Sequence, residues 1–285
     1  MTENEHSPRR VPGVPDAAVA ALREALGGRP VAGAMVLGSG LGVLLDAWET
    51  ERVLGAETIP GYPRSTVPGH AGRVGIVRWG EARGLVFQGR VHFYEGHDRP
   101  AVTFAVRLAA ALGARWMLLT NAAGSADPRI APGNVMVVED HIRLFAGRRS
   151  GTGAVPGPAR CGTPYSARMA EEAFRVLGEE GLRTLRGVLQ GCPGPAYETA
   201  AEIEMMRRLG ASAACMSTVI EVEEAWRLGM EVAALSLITN WATGLSPHAL
   251  DHAEVVEMAG RVAPFMGRAL DRLARLWTGE SAGRA

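Results

Sequence analysis

The chain contains no lysine. All 30 of its basic residues are arginine, and 30 Asp and Glu balance them, so the formal net charge at neutral pH is zero. Without an excess of either sign there is no long-range field to gather nucleic acid or an anionic membrane, and any anion must be held by local groups. No GK[ST] phosphate loop exists in such a chain, and the one glycine-rich turn does not have GxGxxG spacing. Cysteine is scarce: Cys161, Cys192 and Cys215 are odd in number and far apart, with no CxxC pair. That argues against a zinc ribbon and for a reducing compartment. No run approaches the roughly 18 apolar residues of a membrane span, and the polar, proline-containing start lacks the apolar centre of a signal peptide. These absences read together as a cytoplasmic protein that binds neither nucleic acid nor membrane.

What is present is enough chain, 285 residues, for one large α/β domain with a substantial core. Residues 1–14 read as a mobile arm, 15–277 as a single domain and 278–285 as a mobile tail. Apolar spacing predicts helices over 16–26, 103–112, 167–180, 200–209, 220–228 and 253–277. Short apolar runs predict strands over 31–37, 72–78, 84–88, 115–120, 184–190, 211–216 and 232–238. The stretch 147–162, rich in Gly, Pro and Arg, reads as a long loop.

Groups able to do chemistry cluster where these strands end. The strand over 31–37 runs into Gly38-Ser39-Gly40-Leu41-Gly42, where glycines permit a tight turn and a following helix would aim N–H groups at an anion. After 84–88 come Arg90, His92 and Tyr94, which strand alternation would place on one face. A planar guanidinium fork, an imidazole donor and a phenol suit a phosphate beside a sugar. The strand over 115–120 opens into Asn121-Ala122-Ala123-Gly124-Ser125, small enough to bare backbone N–H groups to a ligand. Pro195 discourages helix before it and Thr199 caps the next one, leaving Tyr197 and Glu198 in the intervening loop. The strand over 211–216 then delivers Met216 and Ser217, and that over 232–238 delivers Asn240, an amide that donates and accepts as a purine edge requires. His70, in a proline-broken loop, reads as a structural histidine.

These segments resemble the trimeric purine nucleoside phosphorylases over about 31–259. The resemblance lies in Gly38-Ser39-Gly40-Leu41-Gly42, Pro63-Arg64-Ser65-Thr66-Val67-Pro68-Gly69-His70-Ala71-Gly72, Gly89-Arg90-Val91-His92-Phe93-Tyr94-Glu95-Gly96, Thr120-Asn121-Ala122-Ala123-Gly124, Gly194-Pro195-Ala196-Tyr197-Glu198-Thr199, Met216-Ser217-Thr218 and Leu237-Ile238-Thr239-Asn240. It implies a three-layer αβα fold with a central mixed β-sheet, a homotrimer, and reversible cleavage of a purine nucleoside by phosphate. No metal or organic cofactor is implied, inorganic phosphate being a co-substrate. By the same likeness phosphate is held by Ser39, Arg90, His92, Ser217 and the backbone at Ala123. Tyr94, Tyr197 and Met216 line the sugar, with Tyr197 also at the base, and His252 reaches the 5′-hydroxyl. Glu198 and Asn240 grip the base, and with His92 they form the expected catalytic set.

A carboxylate at Glu198 accepts from the N1–H of a 6-oxopurine but faces the N1 lone pair of adenine, which favours inosine and guanosine. Related methylthioadenosine phosphorylases carry an aspartate in place of Asn240; that activity, or an idle nucleoside-binding protein, is the alternative. The chain departs from the family pattern at Ser125, Cys215 and Ile220, where glycine, glycine and proline are usual. It also departs over 147–164, which lacks the phenylalanine that a neighbouring subunit contributes over the sugar; Thr163 stands nearest its place.

Overall fold

The computed structural model describes residues 10–67, 69–145, 162–246 and 252–279. Among the described residues nine strands form one sheet: β1 (Gly33–Leu37), β2 (Thr50–Gly55), β3 (Arg73–Trp79), β4 (Ala82–Gln88), β5 (Trp116–Ser125), β6 (Val135–Arg143), β7 (Thr184–Gly191), β8 (Ala213–Cys215) and β9 (Glu231–Trp241). Their order is β2-β3-β4-β1-β5-β8-β7-β6-β9, and β9 pairs back onto β5. One half of the sheet is therefore open, while β5, β8, β7, β6 and β9 close into a ring. Pairing is mixed, as expected: β1 lies parallel to β4 and β5, whereas β8 runs antiparallel to β5 and β6 antiparallel to β9.

Helices cover both faces. The α1 (Asp16–Ala25), α4 (Phe104–Ala111) and α7 (Val219–Arg227) helices pack their apolar sides on one face through Leu22, Leu108 and Val222. On the other, α2 (Leu44–Ala47), α5 (Ala167–Glu179) and α8 (His252–Thr278) bury Leu45, Met169 and Leu270. β1 shows why both are needed: Ala34 and Val36 belong to the first cluster, Met35 and Leu37 to the second. A strand buried on both sides reads as an unbroken apolar run, which is how it is recognised in sequence. A short α3 (Arg99–Val102) leads into α4, and α6 (Ala200–Arg208) caps one end of the ring with Ile203 and Met206. Among the described residues, no helix is long and apolar enough to cross a membrane.

Within the segment expected to be a mobile arm, Val11 is buried and the Pro12 carbonyl accepts from Arg107 Nη1 at 3.0 Å. Two strands have no counterpart in the sequence reading. β2 is an edge strand with Glu51, Arg52 and Val53 exposed, so it lacks an apolar signature. β6 is apolar only over its first half and then turns polar through Glu139 and Asp140.

Candidate active site

Strand ends of both halves of the sheet meet at one open cleft with about 840 Å³ of empty space, a size suited to a small organic ligand. Ser39, Arg90, His92, Tyr94, Ala123, Tyr197, Glu198, Met216, Ser217 and Asn240 all line it. The eleventh residue expected there, His252, opens α8, and its side chain lies outside the described residues, as does the loop expected from 147 onwards up to residue 161. Thr163, just past that loop, is turned to β6, with its hydroxyl donating to Glu139 O at 2.9 Å.

Ser39 reaches the cleft because the chain turns sharply after β1. Gly38 N donates to Thr120 Oγ1 at 2.9 Å, and a Cβ on Gly38 would stand 2.7 Å from Thr120 O. Only glycine fits there. The helix that follows, α2, has just four residues, so the expected helix-end contribution at this turn is absent. Ser39 Oγ instead lies 3.1 Å from His70 Nε2, while His70 Nδ1 lies 2.7 Å from Arg90 O. The sequence reading kept His70 as a structural histidine; the structure makes it a cleft wall that ties the Ser39 turn to Arg90.

Arg90 is the charged centre. It lies in an ion pair with Glu221, Nε to Oε2 at 3.0 Å, with the two side chains 3% and 1% exposed. Nη1 donates to Thr120 O at 2.7 Å and stands 3.5 Å from Ser217 Oγ. Nη2 is buried with no hydrogen-bond partner among the described residues. A buried, unpaired guanidinium N–H is costly, so the protein carries a donor that an incoming anion would satisfy.

His92 and Tyr94 arrive differently from the expectation. The chain stops being extended at His92, because Glu95 Oε1 accepts from both His92 N, at 2.8 Å, and Nδ1, at 2.9 Å, closing a 3₁₀ turn over Phe93–Glu95. Tyr94 thus reaches the cleft from a turn, not by strand alternation, with its ring stacked on His92 at 4.7 Å between centroids. Burial lowers the His92 pKa to about 4, against the pull of Glu95. Burial would raise the Glu95 carboxyl, but hydrogen bonds from Thr66 and His92 hold it down to about 2. At neutral pH the pair is therefore a neutral imidazole donating Nδ1–H to a carboxylate, which leaves its Nε2 as an acceptor.

Ser217 sits in a strained turn. Thr218 has φ 69° and ψ −56°, and Val219 N donates to Ser217 O at 2.7 Å, the geometry of a γ-turn with positive φ. Strain of this kind persists where the surroundings over-determine it. Asn121 Nδ2 donates to Thr218 Oγ1 at 3.1 Å, and Thr218 N donates to Glu221 Oε2 at 3.1 Å.

At the far end of the cleft, the β5–β9 register slips between Ala123 and Gly124. The extra residue is Thr239, and this bulge lets both Thr239 and Asn240 face the cleft, which regular alternation would forbid. Thr239 Oγ1 donates to Asn240 Oδ1 at 2.8 Å, and one Asn240 Nδ2–H goes to Trp241 O at 2.9 Å. The other Nδ2 hydrogen remains available to a ligand. Glu198 sits half-buried beside Cys192, whose thiol is pushed up by burial and by this carboxylate. Cys215 is pushed up to about 11, chiefly by burial, so both are inert thiols. Of the family departures, Cys215 and Ile220 are buried in the core on the α7 face, and Ser125 Oγ donates to Asp127 O at 2.8 Å.

The model of the phosphorylase superfamily matches residues 35–275. Purine nucleoside phosphorylase 1 of Geobacillus stearothermophilus is 41% identical over 235 residues, which are 80% of this chain and 85% of that protein. Purine nucleoside phosphorylase of Mycobacterium tuberculosis is 39% identical over 261 residues, 91% of this chain and 94% of its own. The crystal structure of the Schistosoma mansoni enzyme in complex with adenosine gives a TM-score of 0.81 at 26% identity, covering 96% of this chain and 99% of that one. A crystal structure of Schistosoma mansoni purine nucleoside phosphorylase in complex with inosine gives 0.80 at 25% identity, covering 92% of this chain and 97% of that one. The chain belongs to the phosphorylase superfamily and, within it, to the purine nucleoside phosphorylase family.

Proposed function

We propose that this protein is a pentosyltransferase that cleaves purine nucleosides with inorganic phosphate, reversibly, to free base and pentose 1-phosphate. The observation that carries the reading is the cleft's polarity. One end presents a locked guanidinium with a spare donor beside two serine hydroxyls, and the other presents a carboxylate and an oriented amide. Breaking the C1′–N9 bond leaves positive character on the sugar and negative charge on the departing purine. Phosphate held by Arg90, Ser217, Ser39, His92 and the Ala123 backbone is nucleophile and counter-charge together, and positioning it beside C1′ supplies several kcal/mol of the barrier. His92, neutral at this pH, accepts from a protonated phosphate oxygen through Nε2. Tyr94, Tyr197 and Met216 flank the pentose, and His252 meets its 5′-hydroxyl.

Asn240 donates its free Nδ2–H to N7 as charge gathers there, and Glu198 accepts from N1–H. Because Thr239 fixes the amide with its oxygen occupied, the hydrogen rather than the oxygen is offered to N7. The contact of Glu198 with N1–H, which adenine lacks, favours the 6-oxopurine nucleosides inosine and guanosine. The reaction draws on no metal or organic cofactor, and the working assembly is a homotrimer in the cytoplasm, in keeping with the family resemblance. The test is phosphate-dependent release of base from inosine, guanosine, adenosine and methylthioadenosine, with a control lacking phosphate and light scattering for the assembly. Cleavage of inosine and guanosine is expected. Release confined to the adenine nucleosides would overturn the reading of the base end.

A further inference from the structure

Glu221 does not line the cleft, yet two walls of the cleft depend on it. Its carboxylate is buried in the first turn of α7, with Oε2 at 3.0 Å from Arg90 Nε and 3.1 Å from Thr218 N. The first contact, together with Arg90 Nη1 on Thr120 O, fixes the guanidinium plane at two points and leaves Nη2 as the unpaired donor. The second contact holds the positive-φ turn that presents Ser217. The second is the reciprocal half of a helix capping box with Thr218, but neither the guanidinium orientation nor the positive φ at Thr218 is held without that carboxylate. A guanidinium on a flexible stem samples many rotamers, and a threonine at positive φ is strained.

We propose that Glu221 is a positioning residue for the anion, one carboxylate setting both the Arg90 fork and the Ser217–Thr218 turn so that phosphate meets donors already in place. The inference rests on the phosphorolysis reading of the cleft. Glu221 acts through Arg90 and the turn, and does not touch the anion. An amide in its place would accept from one of the two donors and present N–H to the other, so Glu221→Gln undoes one anchor at nearly constant volume.

The experiment measures inorganic phosphate binding by its stabilisation against thermal unfolding, and KM for phosphate and for inosine separately, in wild type, Glu221→Gln, Arg90→Lys and the double variant. Losing a charged hydrogen bond in the cradle should weaken phosphate about tenfold to a hundredfold in Glu221→Gln, with KM for inosine within about twofold. The losses in the double variant should be less than additive, because the part of the Glu221 effect that runs through the arginine is already gone in Arg90→Lys and only the part through the Ser217–Thr218 turn remains. Phosphate affinity unchanged in Glu221→Gln, a parallel rise in the inosine KM, or fully additive losses would each overturn the proposal. Should Glu221→Gln not fold, Glu221→Asp keeps the charge, withdraws it by one methylene, and carries the same comparison. A wild type stabilised by phosphate but unable to cleave any nucleoside would sink the activity and leave the Glu221 comparison intact. A wild type that phosphate does not stabilise would overturn both.

Discussion

The two ends of the cleft are built on different principles. At the anion end, drawn largely from the open half of the sheet and the start of α7, the charges are buried against partners, Arg90 against Glu221 and Glu95 against the neutral His92, with Arg90 Nη2 left as the spare donor. At the base end, drawn from the ring, Tyr197 is 49% exposed and Glu198 stands half-buried on a loop. The difference follows from cost. A buried charge must have its partners before the ligand arrives, since desolvating it unpaired costs several kcal/mol. At the base end the Glu198 carboxylate is half-exposed and can stay hydrated until a ligand arrives, and only the neutral Asn240 amide is held in advance, by Thr239. Preorganisation is therefore concentrated where phosphate would sit, and adaptability where the purine would.

If the anion end is the rigid one, its loss should be the most damaging. Arg90→Met should lower phosphate-dependent kcat/KM on the order of 10³-fold, as removal of a preorganised charged donor does elsewhere. A fall of less than tenfold in steady-state assays would mean that the two ends share the anion. At the base end, Asn240→Asp should lower kcat/KM for inosine by about 10²-fold, by placing a carboxylate against N7, and should hurt adenosine less. An unchanged ratio of the two nucleosides would remove Asn240 from base reading.

The seam between the two ends is sterically tight at Gly194, with φ +61°, where a Cβ would stand 2.6 Å from Met216 Sδ and 2.8 Å from Tyr94 Cδ1. Gly194→Ala should cost about 1–3 kcal/mol in urea denaturation and raise the nucleoside KM. Retained stability with an unchanged KM would show that the seam yields.

The smallest effect expected is a pH dependence. His92 ionises near 4 when folded, against 6.5 for the ordinary group, so the unfolded chain takes the proton first as pH falls. Stability is full above pH about 6.5 and declines towards pH about 4. Glu95, held down to about 2, stays ionised throughout that window. His92→Gln should therefore lose about 1–2 kcal/mol less than wild type between pH 7 and pH 5. Parallel stability curves for the two proteins would show that His92 is not held neutral.

Much of this site was legible in the chain because its groups follow apolar strands, and a strand's end is where an α/β sheet exposes side chains. Arg90, Ser217 and Asn240 were found in that way. Thr199 is legible as a helix cap from its hydroxyl just ahead of a helical run, and the structure adds a reciprocal partner, with Thr199 N donating to Glu202 Oε2 at 2.7 Å. The structural reading of His70 carries no sign that its partners are Ser39 and Arg90, because these lie 31 and 20 residues away. Glu221 reads in sequence as one acid of an amphipathic helix; locally it closes a capping box with Thr218, but only the distant Arg90 gives it a place at the cleft. Tyr94 was placed at the cleft for the wrong reason, since the Glu95 turn that delivers it follows from hydrogen bonds no periodicity encodes.

Periodicity and turn chemistry act between near neighbours, so the sequence by itself determined the elements, the strand-end positions of the ligand-competent groups and the family likeness. The closing of β5, β8, β7, β6 and β9 into a ring was decided only in three dimensions, as was the Thr239 bulge that turns Asn240 inward. The same holds for the burial of Arg90 against Glu221, 131 residues apart. Each depends on which surfaces are excluded from water together, and that is a property of the packed chain, not of any window along it.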